Sequence, residues 1–314
     1  MKICLSIAKR DKEFDNMIKT LNNFAEVTVV GLSGYSLKGF DIFIGKKLCK
    51  TALKTADKLK VVFAYKTGVD DFPLKEMEEK GIVLVNSHVD AKIIAEYAFG
   101  LSISLVNRIT ECDKMLRRGI WYDSTDPYWE SIFDMKVGLL GFGHIGQNIN
   151  KLLERNGIKT YTLKRGKERE DIETVETLDE LLEKCNLIIL SLPKTPETDN
   201  IIDASALEKL KDKYIVNVGR SNSIDQEALY NALKKGEIAG AAIDTWDKKP
   251  ANKSSKLSPS MHPFAKLDNI VLSPHQATRI DVGHERYVTD ITNKVITYIN
   301  DKKLSDVVDY KRGY

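Results

Sequence analysis

One stretch constrains the fold more than any other: Val137-Gly138-Leu139-Leu140 breaks into Gly141-Phe142-Gly143-His144-Ile145-Gly146, then continues through Gln147 to Ile149, Leu152 and Leu153. A short apolar run, a glycine-rich break and an apolar pattern of helical period read as strand, tight turn and helix. Each glycine answers a separate need: Gly141 the turn, Gly143 a close approach of ligand to backbone, and Gly146 the packing of helix on strand. The helix start also presents unpaired N–H groups and the positive end of its dipole, which suit a pyrophosphate. Taken alone the pattern also fits a structural turn. A second β-like run from Lys159 to Leu163 follows at βαβ spacing, and that context makes a dinucleotide site the expectation, with His144 and Ile145 lending backbone to the phosphates.

With 314 residues the chain is long enough for two domains. Its 48 basic and 45 acidic residues leave a net charge of +3. That balance, with basic and acidic residues interleaved, gives no case for nucleic acid or an anionic membrane as partner. Cys4, Cys49, Cys112 and Cys185 stand far apart, without metal-ligand spacing. They read as free thiols in a reducing cytoplasm, and no metal is expected. The apolar start at Ile3 is too short for a signal peptide and reads as a first strand. No apolar run reaches the ~20 residues of a membrane span.

Strand-like runs at 2–6, 27–30, 41–44, 61–64 and 82–85 alternate with helical patterns at 11–21, 48–56 and 73–80. This alternation predicts a parallel sheet covered on both faces. One long helix is expected over 91–118. A second α/β series begins at Val137, with later strands at 187–191, 214–218, 238–243 and 270–273. A helix over 282–300 is long enough to return to the first domain. The polar stretch 247–260 reads as a long loop, a length that is usually functional or mobile.

Several segments then fall into a familiar order: Gly68-Val69-Asp70-Asp71-Phe72, Gly81 to Asn86, Ala95-Glu96, Pro193 to Thr198, Asn217-Val218-Gly219-Arg220, Ala242-Ile243-Asp244 and Ser273-Pro274-His275. From about residue 60 to 290 they resemble the D-isomer-specific 2-hydroxyacid dehydrogenases. The resemblance implies an α/β fold of two Rossmann-like domains, a flavodoxin-like substrate domain (1–98 and 285–314) and a doubly wound dinucleotide-binding domain (99–284), with the active site between them. It implies a homodimer and a small carboxylate-bearing substrate. Hydride would pass between a nicotinamide and the carbon beside that carboxylate. By the same resemblance Arg220 holds the carboxylate, the backbone of Lys66, Thr67 and Gly68 cradles it, and His275 exchanges the proton. Asp244 would meet the nicotinamide carboxamide, while Pro193 lines the adenosine side and Val218 belongs to the cofactor site. Chemistry supports two of these roles independently. A guanidinium matches a carboxylate in a two-pronged contact, and histidine exchanges protons near neutral pH.

Two departures sharpen the expectation. NAD sites usually place an acid about 20 residues past the glycine loop, on the ribose 2′-hydroxyl. Here Lys164 fills that slot with Arg165 beside it. Two cations suit a 2′-phosphate, so NADPH is expected and NADH is secondary. The family also supplies a glutamate that supports its histidine, and Lys249 stands in that slot. Losing the carboxylate lowers the histidine's affinity for a proton, and a neutral His275 is a poor general acid. Asp247 bending back, another group on a mobile loop, or a substrate that brings its own proton would each compensate. The last idea points to a 2-imino acid and a D-amino acid product, and it is placed slightly ahead of 2-oxo acid reduction. A non-catalytic nucleotide-sensing scaffold is the third possibility. Trp121 to Glu130, rich in aromatics and acids, is expected at a subunit interface.

Overall fold

The computed structural model describes residues 1–121, 128–164, 170–248 and 257–314. Their contacts divide the chain into two units, Met1–Asp90 with Arg279–Tyr314, and Ala91–Thr278.

The first unit opens with β1 (Lys2–Ser6), α1 (Lys12–Leu21), β2 (Glu26–Val30), β3 (Ile42–Gly45), α2 (Lys50–Lys54), β4 (Val61–Ala64), α3 (Leu74–Glu79) and β5 (Val83–Val85). The strands form one parallel sheet in the order β2-β1-β3-β4-β5. Asp11 starts α1 by accepting the N–H of Phe14 at 3.0 Å. Phe14, Met17, Ile18 and Leu21, at helical spacing, are buried against Ile3 and Leu5 of β1. Side chains of the opposite parity, such as Cys4, Phe43, Val62 and Leu84, form a second core with Leu53 and Met77. Two-sided burial is why these strands read as continuous apolar runs.

The second unit holds α4 (Ala91–Val106), α5 (Ile109–Arg117), β6 (Lys136–Leu140), α6 (His144–Arg155), β7 (Lys159–Leu163), β8 (Glu173–Val175), α7 (Leu178–Lys184), β9 (Leu187–Leu190), α8 (Ala204–Glu208), β10 (Tyr214–Asn217), α9 (Gln226–Lys235), β11 (Gly240–Ile243) and β12 (Ile270–Leu272). Its seven parallel strands run β12-β11-β10-β9-β6-β7-β8, so the winding reverses between β6 and β9. One face carries α4 and α6, with Leu101, Leu105, Ile149 and Leu153 in a shared core. The other carries α7, α8 and α9 through Leu181, Leu207, Leu229 and Leu233. The chain then returns to the first unit as α10 (Gly283–Asp301), whose Val288, Ile291 and Val295 join Phe14 and Met17. All of α4 belongs with the second unit and all of α10 with the first, so the changeovers fall at 90/91 and 278/279, not at the 98/99 and 284/285 expected from sequence.

One expected element differs. The single helix over 91–118 is two helices, because Arg108 takes a left-handed conformation with φ of 55°. Its guanidinium bonds Glu111 and its carbonyl accepts from Cys112 N at 3.0 Å, so the break doubles as the start of α5. The edge strand β8 has no counterpart among the expected strands. Burial pushes the thiols of Cys4 and Cys185 up to about 12, which keeps them unreactive. Among the described residues no helix is long and apolar enough to cross a membrane.

Candidate functional site

The glycine loop lies at the reversal point of the second sheet. Gly141 has φ of +105°, and a Cβ on it would meet Ser191 backbone at 3.0 Å. Ser191, which follows β9, donates its hydroxyl to the Gly141 carbonyl at 3.0 Å. A Cβ on Gly146 would lie 2.1 Å from the Gly141 carbonyl oxygen, whereas one on Gly143 meets no atom within 4 Å. Turn and helix packing thus require the outer glycines, and the middle one faces open space. Gly143 precedes α6 without a side-chain cap, and His144 is exposed at its first position. A buried helix start would leave its N–H groups without partners; this one is open to a bound anion, so the chain fits a pyrophosphate here.

The neighbouring strand ends carry the next expected residues. Pro193 and Val218 follow β9 and β10, and Val218 N donates to Leu190 O at 3.1 Å. A Cβ on Gly219 would meet Leu192 N at 2.7 Å, which explains a glycine before Arg220. The turn is closed by Asn217, whose amide accepts from Gly219 N at 2.9 Å and donates to Arg220 O at 3.0 Å. Arg220 is half-buried, and its guanidinium donates to Gly219 O at 3.1 Å.

After β7, Lys164 is half-buried and forms an ion pair with Glu176 at 2.8 Å. Glu176 is itself well exposed, with a side chain 69% accessible. Such a pair contributes about 0–1 kcal/mol. Arg165 lies outside the described residues, as do Lys249, residues 122–127 of the aromatic segment and most of the loop at 247–260.

The segment after β12 is held most tightly. Asp244, 1% exposed at the end of β11, accepts the Ser273 hydroxyl, Gln276 N at 2.8 Å and Ala277 N at 3.3 Å. Tyr97 of α4 meets the same Ser273 hydroxyl at 2.8 Å, and Trp246 Nε1 donates to Ser273 O at 2.8 Å. Between these anchors the exposed His275 stands in a left-handed conformation with φ of 58°, a region costly for a residue with a Cβ. The Asp244 carboxylate therefore fastens the turn that presents His275. Sequence reading quoted Ser273 and Asp244 as motif residues but missed this function and missed Tyr97; their bonds span 29 and 176 positions, so no local spacing signals them. Asp247, one candidate to replace the absent glutamate, is exposed.

Lys66, Thr67 and Gly68 belong to the first unit, following β4, and are half-buried. The Thr67 hydroxyl donates to Ser87 O at 2.8 Å and meets the Tyr287 hydroxyl at 3.0 Å. Asn86 Nδ2 donates to Thr67 O at 2.7 Å. These bonds fix the segment through its carbonyls and hydroxyl, leaving its N–H groups outside that network.

Comparison with known proteins agrees with this geometry. Residues 99–277 match the model of the D-isomer specific 2-hydroxyacid dehydrogenase NAD binding domain. The chain is 35% identical to a glyoxylate reductase of Thermofilum pendens over 76% of its own length and 72% of that protein's. A structure from Pyrococcus horikoshii superposes with a TM-score of 0.84 at 29% identity, covering 98% of this chain and 95% of that one. An acyclic imino acid reductase in complex with NADPH and D-arginine superposes with a TM-score of 0.82 at 23% identity, covering 98% and 100%, a likeness of fold. The matched model spans the whole reversal-point loop and every strand end from β6 to β12, and on that ground the chain belongs to the D-isomer-specific 2-hydroxyacid dehydrogenase family.

Proposed function

We propose that this protein is an NADPH-dependent reductase of 2-oxo acids, turning the C=O beside a carboxylate into a D-2-hydroxy acid. The observation that carries the reading is the Asp244 network, which holds His275 in a strained turn at the carboxyl ends of the same parallel strands as Arg220 and the glycine loop. Strain of this kind persists only where surrounding structure enforces it, and it clusters at active sites.

Bound at the glycine loop, the cofactor supplies the hydride. Arg220 of the second unit orients the substrate carboxylate through two parallel N–H bonds, while in the first unit the N–H groups of Lys66, Thr67 and Gly68 are a further set of donors suited to a carboxylate. His275 gives its proton to the carbonyl oxygen as the carbon takes the hydride, so the product leaves with a hydroxyl and the histidine is reprotonated from solvent. Asp244 acts through the turn it fastens. Lys164 and Arg165 attract the 2′-phosphate. Exchanging the well-exposed Glu176 carboxylate for the phosphate leaves the Lys164 ammonium paired with an anion, and NADPH is used in preference to NADH. Trp121, Tyr128, Trp129 and Phe133, between 62 and 95% exposed, supply the apolar surface for a homodimer.

A second reading, reduction of a 2-imino acid to a D-amino acid, draws on Lys249 in place of the family's glutamate and on the imino acid reductase of the same fold. A protonated imine needs no acid from the protein. Oxidation of NADPH by 2-oxo acids, with and without added ammonia or alkylamine, separates the two. Turnover without amine that is lost in His275→Ala supports ketone reduction; turnover only with amine, retained in His275→Ala, replaces it by the second reading. No turnover with tight cofactor binding rejects both in favour of a scaffold. Lys164→Asp with Arg165→Ser is expected to shift the kcat/KM ratio toward NADH, and an unchanged ratio overturns the cofactor preference.

A further inference from the structure

An ammonium is costly to take out of water, yet the side chain of Lys294 on α10 is only 12% accessible. Its Nζ lies 2.7 Å from Asp290 and 2.6 Å from Asp306, and it donates to the Asn86 carbonyl at 2.9 Å. Asp290 comes from one turn earlier on the same helix. Asp306 comes from the tail beyond it, which pairs Val307 with Val85 of β5 and returns Val308 N to Leu84 O at 2.9 Å. The Asp306 backbone is left-handed, with φ of 52°, and its carbonyl accepts Asn86 N at 3.2 Å. Both backbone polar groups of Asn86 are thereby tied to the two members of one ion pair.

Asn86 passes this anchorage on to the start of the 66–68 segment. It is 4% exposed, and Ser87 is fully buried. The Asn86 side-chain amide donates to Thr67 O at 2.7 Å. Ser87 N donates to Lys66 O at 3.2 Å, and Ser87 O accepts the Thr67 hydroxyl at 2.8 Å. The helix reaches the segment a second time through Tyr287, seven residues before Lys294 and so on the same face; its hydroxyl meets that of Thr67 at 3.0 Å. Arg286 fastens the other end of the bend by donating to Val89 O at 2.8 Å. A peptide group is planar, so a carbonyl that is held also fixes the N–H of the residue after it. Holding Lys66 O and Thr67 O therefore sets the directions of the Thr67 and Gly68 N–H groups.

We propose that Lys294 and Tyr287 are positioning residues for substrate binding, which from one face of α10 clamp the 86–90 bend onto Lys66 and Thr67 and so aim the N–H groups of Thr67 and Gly68. The inference rests on the reading above that these donors serve a carboxylate of the substrate. Both side chains act through Asn86 and Thr67. Loss of either loosens the donors without altering the groups that transfer hydride and proton, so it weakens substrate binding more than it slows the chemical step.

The test measures kcat and KM for glyoxylate and for 2-oxopentanoate at saturating NADPH in the intact chain, together with amide hydrogen exchange of the 61–72 peptide. Tyr287→Phe removes one oxygen and keeps the ring; it is expected to raise KM about fivefold with kcat changed less than about twofold. Lys294→Gln raises KM about tenfold, and Lys294→Arg, which keeps a cation between the two carboxylates, restores most of the loss. Because both residues hold one segment, Tyr287→Phe combined with Lys294→Gln raises KM by less than the product of the single effects. Exchange quickens in the 61–72 peptide of each weakened variant and stays as in wild type across the glycine loop. A KM that Tyr287→Phe leaves unmoved, a loss confined to kcat, or unmoved exchange in the 61–72 peptide overturns the proposal, while wild-type turnover still upholds the reductase reading. If wild type reduces no 2-oxo acid, that reading falls, and calorimetry with oxalate decides the positioning: binding weakened in Tyr287→Phe with quickened exchange supports it, and no binding, or equal binding in both proteins, overturns it.

Discussion

Asp90 and Asp244 are both carboxylates with almost no exposure, 0% and 1%, yet their surroundings differ. Asp244 meets one hydroxyl and two backbone N–H donors. The Asp90 carboxylate has the Tyr287 hydroxyl beside it, and Arg286 Nε stands 3.9 Å away. Burial raises the Asp90 carboxyl above the usual carboxylate range, and the Tyr287 hydroxyl and Arg286 only partly oppose this. A group that binds its proton more tightly when folded contributes full stability below its unfolded pKa of about 3.9 and loses it as pH rises through the folded value. Asp90→Asn is therefore expected to stabilise the protein at pH 7 by about 1–2 kcal/mol, with the gain fading toward pH 3.5; urea midpoints across pH measure it, and a gain constant with pH contradicts it. Asp244→Asn is expected to lower kcat by roughly 10- to 100-fold, because one of the two acceptor oxygens becomes an NH2 that faces N–H or O–H donors of the His275 turn, and small misplacements are costly. Cofactor affinity measured by fluorescence should change far less, and an equal loss in both would assign Asp244 to the cofactor instead. The sequence marked Asp244 and His275 as neighbours in function, but their dependence on Ser273 and Tyr97 arises only when β11, β12 and α4 meet.

At the scale of the element, the three glycines separate experimentally. Gly146→Ala forces a Cβ to within 2.1 Å of the Gly141 carbonyl oxygen, so strand and helix must part, at about 1–3 kcal/mol. Gly143→Ala meets nothing and has an ordinary φ of −79°, but its methyl occupies the open side of the turn. Thermal melting should separate the pair: Gly146→Ala lowers Tm, while Gly143→Ala leaves it within a degree or two and weakens NADPH binding. Equal effects of both on Tm would mean the middle glycine is structural. Strand–turn–helix was legible because its signals are local: apolar run, glycines and helical period. The break at Arg108 was not, since nothing around Asn107-Arg108 interrupts a helical pattern; a left-handed residue there is stabilised by its bond to Glu111 and by contacts of α4 with the sheet.

For the whole molecule, each unit builds its own pair of cores, and the glycine loop lies wholly in Ala91–Thr278. Cofactor at 100 times its dissociation constant should add about 2.7 kcal/mol to the unit that binds it, or roughly 5–10 °C for a unit of this size. Calorimetry with NADPH is expected to raise the transition of the second unit more than that of the first; an equal rise in both would show that they unfold as one. By itself the sequence determined the α/β class, the parallel strands and the position of the glycine loop, because apolar runs, helical periods and glycines act over a few residues. Tertiary structure decided which side chains meet. Asp244 fastening the His275 turn, Lys164 pairing with Glu176 and Lys294 reaching Asn86 join residues distant along the chain, and only the order of strands in each sheet brings them within bonding distance.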